Sequence, residues 1–228
     1  MKSLLMTTAA VLALAVSATG ASAVPYSDTF TITAYKLFNP TTTHTINDAA
    51  VQALPSAIAA ATPASRAALG TFVYTGMLNF LELSGGTNTL AAFIGTGGGT
   101  VTGTIPNVSP LSTATFGDST LLKISFTLPS SVSGVVTNDD GISIFRSGNT
   151  ANSQDLLPLS RAVPTNAAPN TFSLASGSYD LYYAEVNGLP AELNVALTSI
   201  SAVPEPASMA LVGAGLFAAG LLRRKRQV

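Results

Sequence analysis

The sequence predicts a mainly β protein: an antiparallel β-sandwich with a short alanine-rich helical insert, flanked by an N-terminal signal helix and a C-terminal transmembrane helix. Three observations lead there. Short runs of alternating polar and apolar residues, rich in β-branched and aromatic types, are separated by clusters of Gly, Pro, Asn and Ser, as in sheets that bury one face. The alanine-rich stretch over residues 47–69 is the one helical insert, which disfavours the repeated strand-helix-strand units of a parallel sheet. Uncharged apolar runs occupy the two ends, at residues 4–16 and 207–222.

Taken in order, Lys2 precedes the first apolar run and Ala21-Ser22-Ala23 follows it. This is the arrangement of a secretory signal peptide. Signal peptidase takes small side chains three and one residues before the bond it cuts, so Ala21 and Ala23 place the cut after Ala23 and make Val24 the first mature residue. The first strand lies at residues 29–35, where Phe30, Ile32 and Ala34 alternate with threonines. In the alanine-rich stretch, Asn47 or Asp48 caps a helix running to Ala53, and Pro55 and Pro63 break or restart it.

Residues 71–80 read as one strand that ends before Gly85-Gly86. The glycine-rich run at 95–100 lacks the Lys-Ser/Thr ending of a phosphate loop and precedes a strand at 101–105, so it reads as a surface loop. Further strands fall at 121–128, 141–145 and 178–186, and a closing strand at 191–197.

Between signal peptide and tail, residues 24–203 number 180 and hold five basic against ten acidic residues, a net charge of −5. That is one domain with room for a hydrophobic core. The acidic balance argues against nucleic acid as a partner, because phosphate binding needs a basic footprint. There is no cysteine, so an exported body must draw its stability from packing and from any ion it binds. The mean hydropathy of +0.43 is inflated by the two terminal runs.

Few residue types are available for catalysis. His44 is the single histidine, it lies among threonines, and no cysteine exists as nucleophile or soft metal ligand. A serine nucleophile with His44 as base lacks the Gly-x-Ser-x-Gly elbow. Asp139, Asp140, Asp180, Glu185 and Glu192 are candidate acids for glycoside hydrolysis, without a spacing signature. The expectation is a protein that is not an enzyme, with a polysaccharide hydrolase as the alternative.

The C-terminus carries the more specific signal. Pro204-Glu205-Pro206 is followed by sixteen uncharged residues, 207–222, and then by Arg223-Arg224-Lys225-Arg226. The prolines keep the backbone extended around the acid. The apolar run is slightly short for a span of about twenty residues, which basic flanks and bilayer thinning accommodate. The basic cluster stays on the cytoplasmic side, with the body outside. This order resembles the PEP-CTERM sorting signals read by an exosortase. The resemblance covers residues 202–228, divides the chain into 1–23, 24–202 and 203–228, and implies nothing about the cargo's chemistry. A permanent membrane anchor shares the topology and differs only in keeping its tail.

Within the body, Asn138-Asp139-Asp140-Gly141 opens a strand. Gly177-Ser178-Tyr179-Asp180 begins a later strand that reaches Glu185, with residues 191–197 closing behind it. An Asp-Asp-Gly hairpin followed by a Gly-x-Tyr strand resembles the protective-antigen-like β-sandwich module of exported adhesins and glycosidases. In sugar-binding members two neighbouring aspartates hold Ca²⁺, which the resemblance assigns to Asp139 and Asp140; the alternative is that both simply bond to turn amides. The resulting expectation is an exported surface or matrix protein, a non-catalytic module contacting exopolysaccharide, or else a structural component without a specific ligand.

Overall fold

The computed structural model describes residues 24–38, 53–60, 68–106, 118–157, 168–185 and 188–200. The signal-peptide, His44 and sorting-tail residues lie outside them. The strands are β1 (Val24–Pro25), β2 (Ser27–Phe38), β3 (Ala68–Met77), β4 (Asn79–Glu82), β5 (Thr100–Thr102), β6 (Asp118–Leu128), β7 (Val132–Asp139), β8 (Gly141–Arg146), β9 (Ala168–Leu174), β10 (Gly177–Glu185) and β11 (Ala191–Ile200). Two short helices, α1 (Pro55–Ala60) and α2 (Leu90–Gly95), accompany them.

Among the described residues these strands make two antiparallel sheets. The first runs β1-β11-β7-β9, with β4 also along β11; the second runs β5-β3-β2-β6-β10-β8. The period-2 pattern explains the layers. In β2 and β6, Phe30, Ile32, Ala34, Leu122 and Ile124 are buried while Thr29, Thr31 and Thr127 are exposed. Their apolar side meets Val136, Leu193 and Val195 of the first sheet in one core. A ladder of aromatic rings runs through it, including Tyr74 edge-on to Phe80 and Phe93 stacked on Tyr183 at 5.5 Å.

Residues 71–80 are not one strand. The chain leaves the second sheet after Met77 and joins the first at Asn79. Leu78 makes the corner: its amide donates to the Tyr26 carbonyl and its own carbonyl accepts from the Val195 amide. Tyr74, Leu78 and Phe80 stay buried on one parity across the break, so alternation alone does not reveal the change of sheet.

Pro55 begins α1, the restart expected of it, in keeping with proline's fit to the first helical turn. Residues 47–52 lie outside the described set. Beside α1, Ala53 and Leu54 join Leu121, Phe145, Tyr182 and Ala184 in a second apolar cluster on the outer face of the second sheet. The helix α2 has no counterpart in the sequence reading. Thr89 caps it by accepting from the Ala92 amide at 3.2 Å, and it buries Leu90, Phe93 and Ile94. The glycine loop after it admits no side chain at Gly97, where a Cβ would lie 2.3 Å from the Tyr74 hydroxyl.

β11 runs the length of the first sheet and defines two poles. At one, Glu192 pairs with Asp139; at the other, Ile200 pairs with Val132, and Val24 pairs with Leu197.

Candidate functional site

Asp139 and Asp140 do not sit on a hairpin. Asp139 ends β7 in the first sheet and Gly141 begins β8 in the second, so Asp140 is the single residue on which the chain changes sheets. The reason resembles that at Leu78: β7 buries Val136 and Asn138, and β8 continues directly with Ile142 and Ile144 in the same core. The peptide joining the two acids is cis.

β10 brings a third acid to this corner. Gly141 pairs with Ala184, and Glu185, the last residue of β10, follows. The carboxylates of Asp139, Asp140 and Glu185 place ligand oxygens within 4.8 Å of one another, and all three residues are buried. Tyr183 fastens the corner. Its hydroxyl donates to the Asp139 carbonyl and lies 3.3 Å from Glu185 Oε2. Asn138 spans the same turn, its Nδ2 donating to the Asp140 carbonyl while its Oδ1 accepts from Asn170.

Crowded, desolvated acids resist ionisation. Burial, then the neighbouring Asp140 and Glu192, raise Asp139 to about 7. Burial first, and then Asp140 and Asp139, raise Glu185 to about 11. The Tyr183 phenol is pushed well above its ordinary value by burial and by Glu185 and Asp140.

Asp139 is 2% exposed, yet its Oδ1 has no hydrogen-bond partner among the described residues, and neither does Thr120 Oγ1. Thr120 of β6 is the register partner of Glu185. For Asp139 Oδ1, bonding to a turn amide is therefore not seen. A buried carboxylate oxygen without a donor carries a desolvation cost that a cation relieves.

The donor set fits a hard divalent ion. Oxygens on opposite sides of Ca²⁺ at about 2.3–2.6 Å are about 5 Å apart, so the 4.8 Å spread allows all three carboxylates to touch one ion. Six to eight oxygens are required, leaving positions beyond these three for Thr120, carbonyls, water or a ligand.

Of the other acids weighed from sequence, Glu192 stands across the β7–β11 ladder from Asp139. Asp180 belongs elsewhere, ion-paired with Lys123 at 3.2 Å and bonded to the Ser125 hydroxyl. Asp155 accepts from the Ile144 and Leu157 amides and pins the segment after β8. Ala21, Ala23, Pro204, Glu205, Pro206, Arg223, Arg224, Lys225 and Arg226 lie outside the described residues, and Val24 opens β1. In the sequence Glu185 reads only as a candidate hydrolytic acid, and Thr120 carries no signal; its place opposite β10 comes from the strand register. No helix among the described residues is long and apolar enough to cross a membrane.

No curated protein sequence matches the chain. Residues 202–226, by contrast, match the PEP-CTERM protein-sorting motif, which implies an exported protein sorted by an exosortase.

Proposed function

We propose that the body is a non-catalytic, Ca²⁺-dependent module of the exported protein, a β-sandwich akin to the protective-antigen-like modules, that contacts exopolysaccharide at the cell surface or in the matrix. The observation that carries this reading is the buried trio of Asp139, Asp140 and Glu185, with an Asp139 oxygen that has no hydrogen-bond partner among the described residues. The carboxylates supply the negative charge the ion needs, and neutral oxygens from Thr120 or water complete the shell. The trio is buried, so the ion holds the β7–β8 corner in place and sugar contact falls to the surface around it.

The non-catalytic part is supported by burial. Glu185 is fully buried, whereas a hydrolytic acid has to reach the glycosidic oxygen. The apolar tail, 207–222, serves as a transient anchor in the precursor.

The test is a calorimetric titration of residues 24–202 with Ca²⁺, followed by neutral and anionic polysaccharides in calcium and in chelator. Sugar binding that requires Ca²⁺ and disappears with Asp139→Asn and Asp140→Asn supports the reading. Polysaccharide retention unchanged in chelator removes the ion from it. Depolymerisation lost in Glu185→Gln, with the fold intact, replaces it by the hydrolase.

A further inference from the structure

Glu82 is a buried acid that the calcium corner leaves out. It ends β4 at 5% exposure, and it is not one of the three acids whose oxygens gather where β7 meets β8. Register nevertheless puts it at the same pole: Glu82 pairs with Ala191, and the next residue of β11, Glu192, pairs with Asp139. One oxygen of its carboxylate has a structural task. Oε1 accepts from the Asn88 amide at 2.7 Å and from the Thr87 hydroxyl at 3.3 Å, which folds residues 83–88 back over the end of the strand. The fit is close, since a Cβ at Gly86 would lie 2.7 Å from Oε1.

The second oxygen has no such task. Oε2 is buried without a hydrogen-bond partner among the described residues. No basic side chain among them pairs with Glu82 either: Lys123 is engaged by Asp180, and Arg146 lies over the Tyr179 ring. A carboxylate closed off from water with an oxygen unbonded carries a desolvation cost that a bound cation removes. The groups beside it are hard oxygen donors. Ser84 and Thr87 bring hydroxyls, the loop brings its carbonyls, and residues 83–88 contain no histidine or cysteine. Ser84, Gly85, Gly86 and Thr87 are exposed, so an ion can enter from solvent and keep water among its ligands.

We infer that Glu82 and the loop over residues 83–88 form a second cation site, which takes Ca²⁺ through Glu82 Oε2, the Thr87 hydroxyl, loop carbonyls and water. The site is independent of the trio and goes beyond that reading. Calcium affinity follows the number of charged ligands, so a single carboxylate places it at the weak end of extracellular modules, with a Kd of about 10⁻⁴–10⁻³ M. That is at least about a hundredfold weaker than three carboxylates give. The loop therefore fills only after the corner is saturated. Its ion fastens the segment that leads directly into Thr89, the cap of α2.

Equilibrium dialysis of the full chain in detergent against radioactive Ca²⁺, from micromolar to several millimolar, counts the ions. Wild type is expected to hold one tightly and one weakly. Asp139→Asn with Asp140→Asn should remove only the tight ion. Glu82→Gln, which keeps an oxygen to accept from the Asn88 amide, should remove only the weak one. A second readout needs no change at Glu82: in the Asp139→Asn, Asp140→Asn chain, Ca²⁺ should shift the Asn88 amide resonance, because that amide donates to Glu82. A wild type without the weak ion, a folded Glu82→Gln chain that keeps it, or a weak ion that leaves Asn88 unmoved overturns the inference. A wild type that holds only the weak ion, and loses it in Glu82→Gln, overturns the calcium corner instead and leaves this site standing.

Discussion

Replacing Asp139 by Asn should stabilise the calcium-free body at alkaline pH, although it removes a side chain assigned to bind the ion. Two unit charges within 4.8 Å of each other, at an effective dielectric of about 20, repel by about 3 kcal/mol or more. The elevation of Asp139 from 3.8 to about 7, owed first to burial of its charge and then to Asp140, corresponds to about 4 kcal/mol. The sign follows from linkage. A carboxyl raised on folding holds its proton more tightly in the folded state, so the stability it leaves intact below pH 4 is lost as pH rises to about 7.

Asn carries no such charge. In chelator at pH 8 the variant should melt higher than wild type by on the order of 10 °C, at about 2–4 °C per kcal/mol for a body of this length. The gap should shrink progressively toward pH 4. With Ca²⁺ at one hundred times its Kd, wild type regains about 2.7 kcal/mol while the double variant Asp139→Asn, Asp140→Asn gains nothing. Scanning calorimetry at pH 5 and pH 8, in chelator and in calcium, reads all four values. A wild type that melts at one temperature in all four conditions refutes both the repulsion and the cation site.

Three further outcomes follow from particular residues. Mass spectrometry of the exported protein should find Val24 at its N-terminus, and a chain retaining residues 4–16 contradicts the cleavage assigned to Ala21 and Ala23. In a host with an exosortase, Glu205→Ala should leave the full-length chain in the membrane fraction while wild type is released; identical fractionation makes the tail a permanent anchor. Gly134→Ala should destabilise the body by about 1–3 kcal/mol, measured by urea unfolding, because a Cβ there would lie 2.5 Å from both the Ala196 carbonyl and the Phe172 ring.

The sequence makes the strands legible because alternation marks which face is buried, and Phe30, Ile32, Ile124 and Leu181 all obey it. It conceals the corners for the same reason. At Leu78 and at Asp140 the chain changes sheets without changing parity, so one pattern suits a continuous strand, a hairpin or a crossing. Asp139 and Asp140 stand out as neighbouring acids, while Glu185 and Thr120 join them only through the pairing of β10 with β8 and β6. Strand register over forty or more residues leaves no local trace. The helix α2 is six residues long, too short for its periodicity to register against the surrounding glycines and threonines.

The placement of both acid corner and chain exit on β11 sets the reach of the membrane's own field. From Glu192 to Ile200 the strand rises by about 26 Å, roughly three Debye lengths in physiological salt. Were the tail to sit in a bilayer as proposed, anionic headgroups at that end would add almost nothing to the local cation concentration at the far pole. On the proposed reading of the tail as an anchor, affinity measured on the freed body should carry over to the anchored precursor, so that removing the tail changes where the protein goes without retuning what it holds.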